Sequence, residues 1–211
     1  MNAMAKWIVC WLLCSVATLA TAAEKEEIIK AIESKYADVT VMQADFTQTT
    51  RSALFGAEQQ RGDVTLKRPS MMRWNFTNEK QFVTDGKTMW IYTRADNQVI
   101  KYDDVSTSTS TADSLLQSLD KLSEIFKVEV EPVDSGQHVL VLLPNGENSQ
   151  FKKIRLTLSS EFLVDHVVVT DAFENVTELK FTNMKLNVQV KDSLFQFDIP
   201  SGAEVITAGS M

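Results

Sequence analysis

Cysteine is nearly missing from this chain: its 211 residues include only two, Cys10 and Cys14. Both lie in an apolar N-terminal run, Trp7 to Ala20, that follows the basic residue Lys6. The run is short for a bilayer span. Ala20-Thr21-Ala22 and Thr21-Ala22-Ala23 then supply small-residue cleavage sites. The pattern is that of an export signal over residues 1–23, cleaved after Ala22 or Ala23. The chain from 24 to 211 then has no thiol, disulfide or cysteine metal site. Val9 and Leu13 precede the cysteines where a lipid-attachment signal wants a small residue, so no lipid anchor is expected. No later apolar run is long enough for a membrane helix, so a soluble, exported product is expected.

Histidine is almost as scarce. His138 and His166 fall in separate predicted strands with no ligand-spaced partner, so they read as structural rather than catalytic or metal-binding. There is no G-x-S-x-G elbow and no glycine-rich phosphate loop. Acidic pairs such as Asp103-Asp104 and Glu129/Glu131 read as solvated faces. Positive charge is also short. One of the chain's 21 basic residues lies in the leader and none of its 28 acids does, so cleavage takes the net charge from −7 to −8. An acidic surface excludes nucleic acid as a partner and disfavours docking on anionic lipid. No enzyme activity, metal or cofactor is expected.

What the chain does have is alternating apolar sequence. Val64 and Leu66 alternate with Asp63, Thr65 and Lys67, the signature of a strand with one buried face. The same parity continues to Arg68, which places a guanidinium on the apolar side at the strand end. There it must find acceptors or reach water. Met72, Trp74 and Phe76 share a face of the next strand. Gln81–Thr84 and Thr88–Thr93 flank the hairpin turn Asp85-Gly86. Thr40–Ser52 reads as a long strand, Ala53–Gln60 as a loop and Val99–Asp103 as a further strand. Later strands are expected at Lys127–Pro132, His138–Leu143, Phe151–Leu158, Leu163–Thr170, Val176–Val190 and Leu194–Ile199.

Two segments carry helical spacing instead. Glu24–Asp38 has Ile28, Ile29, Ile32 and Tyr36 on one stripe. Asp113–Phe126 has Leu115, Leu116, Leu119, Leu122 and Phe126, after the polar linker Ser106–Thr111. One domain of about eleven antiparallel strands and two helices results, a sandwich or barrel. A wide barrel leaves space inside, and the helices either plug it or cover it. A plug gives a filled core; a lid gives a greasy hollow. Met42, Phe46, Leu66, Met72, Trp74, Phe76, Phe82, Met89 and Ile91 form the predicted inner face. Met71, Met72 and Met89 cluster there, and Met suits adaptable apolar surfaces.

The chain resembles the periplasmic outer-membrane lipoprotein carriers of the LolA type. The likeness rests on Gly62-Asp63, Lys67-Arg68-Pro69, Trp74 and the run from Val83 to Trp90. Ala44-Asp45-Phe46-Thr47-Gln48 fits the family's first strand and Phe195-Gln196-Phe197-Asp198-Ile199-Pro200 its last. The resemblance implies an incomplete, unclosed antiparallel barrel over an apolar cavity, with helices near 24–38 and 113–126 as a lid. It implies a monomeric carrier that takes the acyl chains of lipoproteins from an inner-membrane ABC transporter to an outer-membrane receptor. In such carriers the Arg of the Lys-Arg-Pro motif, here Arg68, bonds to the lid and holds it shut. Met72 stands where the family often has a bulky aromatic. The lid segment also lacks an expected proline, and the tail after Pro200 is short. Two other readings are open: a periplasmic sensor that binds lipoprotein or lipid, and an export carrier for another lipid.

Overall fold

The computed structural model describes residues 23–54, 56–104, 111–133, 136–146 and 151–208. The expected leader lies outside them except at residue 23, and so does the Ser/Thr linker Ser106–Thr111 except at Thr111, which opens a helix instead. Helix α1 runs over residues 23–37. Strands β1 (Val41–Ser52), β2 (Gly56–Lys67), β3 (Met71–Phe76), β4 (Lys80–Asp85), β5 (Met89–Thr93) and β6 (Gln98–Tyr102) follow as a meander. Two short helices, α2 (Thr111–Gln117) and α3 (Leu122–Ile125), interrupt the strands. A second meander then follows: β7 (Phe126–Glu131), β8 (His138–Pro144), β9 (Phe151–Leu158), β10 (Val164–Asp171) and β11 (Val176–Leu186). β12 (Glu204–Ala208) ends the described chain. No helix among the described residues is long and apolar enough to cross a membrane.

All strands join one twelve-stranded sheet in the order β12-β6-β5-β4-β3-β2-β1-β11-β10-β9-β8-β7. The two meanders meet where β1 pairs with β11, from Met42↔Leu186 to Arg51↔Val176. A register shift between Gln43 and Asp45 marks a bulge there, which bends the strand and raises its twist. Among the described residues, the end strands β12 and β7 do not pair with each other, so the barrel stays open. The concave face gathers the main core. Ile29, Ile32 and Tyr36 of α1, with Leu115 and Leu116 of α2, pack there on Phe46, Leu66, Trp74, Leu140 and Leu156.

Gly62 shows how closely the strands are packed. A Cβ on it would stand 1.9 Å from the Asn75 carbonyl oxygen and 2.9 Å from the Phe46 ring. Only glycine leaves room for that approach.

The expected elements need correction in several places. Ala53–Gln60 is not wholly a loop. β2 begins at Gly56 and pairs with β1 as far as Gly56↔Ser52, because backbone pairing alone extends the hairpin through a stretch without apolar alternation. Asp113–Phe126 is not one helix. Ser118 (φ −119°), just before a 3₁₀ turn, Leu119–Lys121, and Lys121 (φ −139°), the last residue of that turn, both leave helical geometry. Short helices have weak intrinsic stability, so the tertiary bonds described below set the path. Phe126 accordingly opens β7 rather than closing the lid helix.

Leu194–Ile199 is not a strand. Phe195 ends a 3₁₀ turn, Asp192–Phe195, and is fully buried. Phe197 lies 6.1 Å from Trp90 and 5.9 Å from Tyr92, ring to ring. The alternation recorded burial on the convex side of the sheet, where Arg73 Nη1 donates to the Leu194 carbonyl at 3.0 Å. The tail after Pro200 instead supplies the twelfth strand, β12, which runs parallel to β6.

Candidate functional site

The concave side of β3, β4 and β5 is the wall of a hollow of about 440 Å³. Strand parity places Met72, Trp74, Phe76, Phe82, Met89 and Ile91 along it, and all six line the space. Val169 and Leu179 close the opposite side, and Ala112 and Asp113 of α2 form part of its cover. Gln48, Asp171 and Thr177 add polar groups. Phe82 and Ile91 are only half-buried, because they face this space rather than packed atoms.

Three residues expected in the cavity lie elsewhere. Met42 and Leu66 border a gap of only about 10 Å³, filled in by Leu116, Phe181 and Met184. Phe46 meets Trp74 edge-on at 4.7 Å and Phe76 at 5.1 Å. It is part of the packed core and does not line the hollow. The space under the helices is therefore divided, packed over β1 and β2 and open over β3 to β5.

The cover is well buried on its inner side. Leu115, Leu119 and Leu122 are 0% exposed and Leu116 is 2% exposed. Phe126 is also buried, but as the first residue of β7, 6.0 Å from the Phe151 ring.

Polar contacts pin this cover to the sheet and to α1. Arg68 Nη1 donates to the Tyr36 carbonyl at 2.9 Å, in the last turn of α1. Its Nη2 donates to Asp120 Oδ1 at 2.9 Å, in the 3₁₀ turn between α2 and α3. Both side chains of this ion pair are about four-fifths buried. Arg68 thus meets a helix C-terminal carbonyl, which has no partner within its own helix, and a lid carboxylate. Its Nε is buried without an acceptor among the described residues. The neighbouring Ser70 N–H donates to Gln117 Oε1 at 2.8 Å. Glu33 of α1 accepts from both the N–H and the hydroxyl of Ser123, at 2.8 and 2.7 Å.

A further contact escaped the sequence reading. Trp74 Nε1 donates to Asp113 Oδ1 at 2.8 Å inside the core, and Asp113 is only 4% exposed. An Asp near the start of a helix reads as a capping residue. The only available signal was the need of a buried indole N–H for an acceptor.

The histidines lie apart from this site. His138 stacks on Phe162 at 4.4 Å. His166 Nε2 lies 3.0 Å from Glu178 Oε1, and burial holds its imidazole below its ordinary pKa. Among the described residues, no three or more His, Cys, Asp or Glu side chains are placed to hold a metal.

Residues 37–198 match the family described as outer membrane lipoprotein carrier protein LolA. An outer-membrane lipoprotein carrier protein of Hahella chejuensis is 31% identical over 202 residues, covering 92% of this chain and 96% of that one. Its counterpart in Nitrosomonas europaea is 28% identical over 185 residues, covering 86% and 90%. A solved conserved protein of Thermus thermophilus shares the fold, with a TM-score of 0.51 at 19% identity, over 86% of this chain and 98% of that one. An open sheet under a pinned helical cover and a match over most of the sequence lead to one conclusion: the chain belongs to the LolA family of outer membrane lipoprotein carrier proteins.

Proposed function

We propose that this protein carries lipoproteins through the periplasm, holding their acyl chains in the hollow between β3–β5 and the helical cover. The observation that supports this reading is a mainly apolar hollow of about 440 Å³, bordered by α2, with the helical cover held by hydrogen bonds rather than by covalent links. A methylene occupies about as much room as a water, on the order of 30 Å³. The hollow with its lid closed therefore suits about one long acyl chain, and a triacylated cargo requires the lid to move.

The energetics favour reversible capture. Burying an acyl chain is worth about 0.8 kcal/mol per methylene, or on the order of 10 kcal/mol for a long one. The four lid leucines gain about 1.5–3 kcal/mol each when they bury themselves, a gross term of the same order. Lid and cargo therefore compete for one apolar face, and neither wins by so much that transfer stops. Arg68 acts as the latch, because its fork joins the end of α1 to Asp120 in the lid. Cargo arrives from an inner-membrane ABC transporter and leaves to an outer-membrane receptor. The protein acts as an exported, soluble monomer after cleavage of residues 1–23, and performs no chemistry on its cargo.

The test is release. Spheroplasts bearing a radiolabelled triacylated lipoprotein are incubated with purified residues 24–211. A soluble one-to-one complex containing label is the expected result. Label that stays in the membrane, at protein concentrations well above that of the cargo, overturns the reading.

A further inference from the structure

Two turns at one end of the sheet carry the most exposed large apolar side chains among the described residues. Leu54, on the β1–β2 turn, and Phe173, on the β10–β11 turn, are each 85% exposed. β1 and β11 are neighbours whose pairing ends at Arg51↔Val176. Leu54 lies three residues beyond Arg51, and Phe173 three before Val176. The two tips therefore project side by side, from strands about 4.8 Å apart. Single exposed apolar residues are ordinary on a surface, but these two are paired and held outward. Asp171 Oδ1 accepts the N–H groups of Phe173 and Asn175, and its Oδ2 accepts the Asn175 side chain, each at 2.8 Å. The Glu174 N–H donates to the Asp171 carbonyl at 3.2 Å. These bonds fix the turn with the Phe173 ring in solvent. On the other tip, the Leu54 N–H donates to Ser52 Oγ at 3.3 Å.

The Phe173 turn also borders the hollow. Asp171 lines that space, together with Thr177 near the start of β11. The latch is at the opposite end of the sheet: β2 runs from Gly56, paired with Ser52, to Lys67, paired with Val41, and Arg68 follows.

The shape of this surface selects its occupant. Two tips standing out from a sheet offer no groove. An aromatic side chain buries about 150–250 Å², so a Leu–Phe pair offers on the order of 400 Å². A specific protein interface needs roughly 1,000 Å². A lipid bilayer demands neither that area nor a matching shape. Charged groups beside the tips are paired, Arg51 with Glu178 at 2.9 Å and Lys152 with Glu174. Zwitterionic headgroups therefore oppose the contact little, whereas the acidic chain is repelled from an anionic surface.

We propose that Leu54 and Phe173 form a lipid-touching tip, which dips into the acyl boundary of a zwitterionic bilayer and brings the Asp171 end of the hollow against it. The contact itself goes beyond the carrier reading and stands on the exposed tips. Its use, a shorter water gap for acyl chains passing between bilayer and hollow, rests on that reading. Two side chains give only a weak partition, so the contact is transient.

The experiment reads the contact with a polarity-sensitive dye. Residues 24–211 contain no cysteine, so nitrobenzoxadiazole is attached through Ala172→Cys, beside Phe173, or through Lys87→Cys, at the latch end. With phosphatidylcholine vesicles the dye at position 172 is expected to brighten and shift to the blue, and the dye at position 87 to stay as in buffer. Phosphatidylglycerol vesicles should give a weaker response. Leu54→Ser with Phe173→Ser should lower vesicle affinity at least tenfold, since each side chain contributes about one power of ten or more. The melting temperature should hold, because both residues are exposed. The swap Leu54→Phe with Phe173→Leu should keep the affinity, since a bilayer has no pocket to fit. No response at position 172, an equal response at position 87, a stronger response on phosphatidylglycerol, undiminished binding by the double-serine protein or loss of binding in the swap overturns the proposal. Release of labelled lipoprotein without vesicle contact removes this proposal alone. Vesicle contact without release removes the carrier reading alone.

Discussion

Replacing Arg68 with leucine is expected to unlatch the lid. Hydrogen bonds to charged groups contribute about 1.5–3 kcal/mol each, and Arg68 makes one to a backbone carbonyl and one to a carboxylate. The side chains of the Arg68–Asp120 pair are 19% and 21% exposed, so solvent weakens the pair without cancelling it. A total near 3 kcal/mol follows, about a hundredfold in the open-to-closed ratio at roughly 1.4 kcal/mol per decade. Arg68→Lys keeps the charge but loses the planar fork that serves two acceptors at once, so an intermediate shift is expected. Residues 24–211 contain no cysteine, which makes paired spin labels simple to place. Labels at Lys87→Cys on the β4–β5 turn and Glu124→Cys on α3 report the lid-to-sheet distance. A narrow distribution is expected with Arg68 present, and a broad, longer one in Arg68→Leu. Removing the latch from the empty state should also strengthen cargo retention, because less closing energy opposes the ligand. An Arg68→Leu protein with wild-type distances and wild-type handoff would refute the latch argument.

Three further outcomes follow from the packing. Gly62→Ala places a methyl group against the Asn75 carbonyl, and overpacking at backbone should cost about 1–3 kcal/mol in urea unfolding. Trp74→Phe keeps an aromatic ring but removes the donor to buried Asp113, and should destabilise by about 1–3 kcal/mol, read as a lower melting temperature. Tyr36 is fully buried and donates to the Phe162 carbonyl at 3.1 Å. Burial pushes its phenol up from 10.0 to about 12. Its raised pKa means that the stabilisation is complete below the unfolded value of 10.0 and is lost as pH rises toward about 12. Tyr36→Phe should therefore flatten the alkaline fall in stability across that window, measured as urea midpoints from about pH 9 to about 12.

Much of the site was legible because strand parity is a strict geometric rule. Once Val64 and Leu66 are set inward, the pairing of β2 with β3 and β3 with β4 carries the same face to Trp74 and Phe82. The parity of Arg68 likewise required acceptors near the strand end, and Tyr36 and Asp120 provide them. Parity says which face a residue takes, but not what fills the space in front of it. Met42 and Leu66 lost their place in the hollow because Leu116, from a distant part of the sequence, occupies it.

The lid misled for a related reason. Leucines at helical spacing stay buried whether the chain runs as one helix or breaks at Ser118. The residues that decide the break act through tertiary bonds: Asp120 to Arg68 and Gln117 to Ser70. Alternation in Phe195-Gln196-Phe197 was real, but it served packing on the convex face without any ladder. β12 gave little signal because all its residues are at least partly exposed and its partner β6 lies far away in sequence.

The most direct test asks where the cargo sits. A photoreactive benzoylphenylalanine at Ile91, on the wall of the hollow, is compared with one at Trp90, whose ring packs against Phe197 on the opposite face. Each variant is loaded with an acyl-labelled lipoprotein and irradiated. Acyl chains held in the hollow should give crosslinks at position 91 and none at position 90. Crosslinks at position 90, or at neither position while the complex remains intact, would contradict that placement of the cargo.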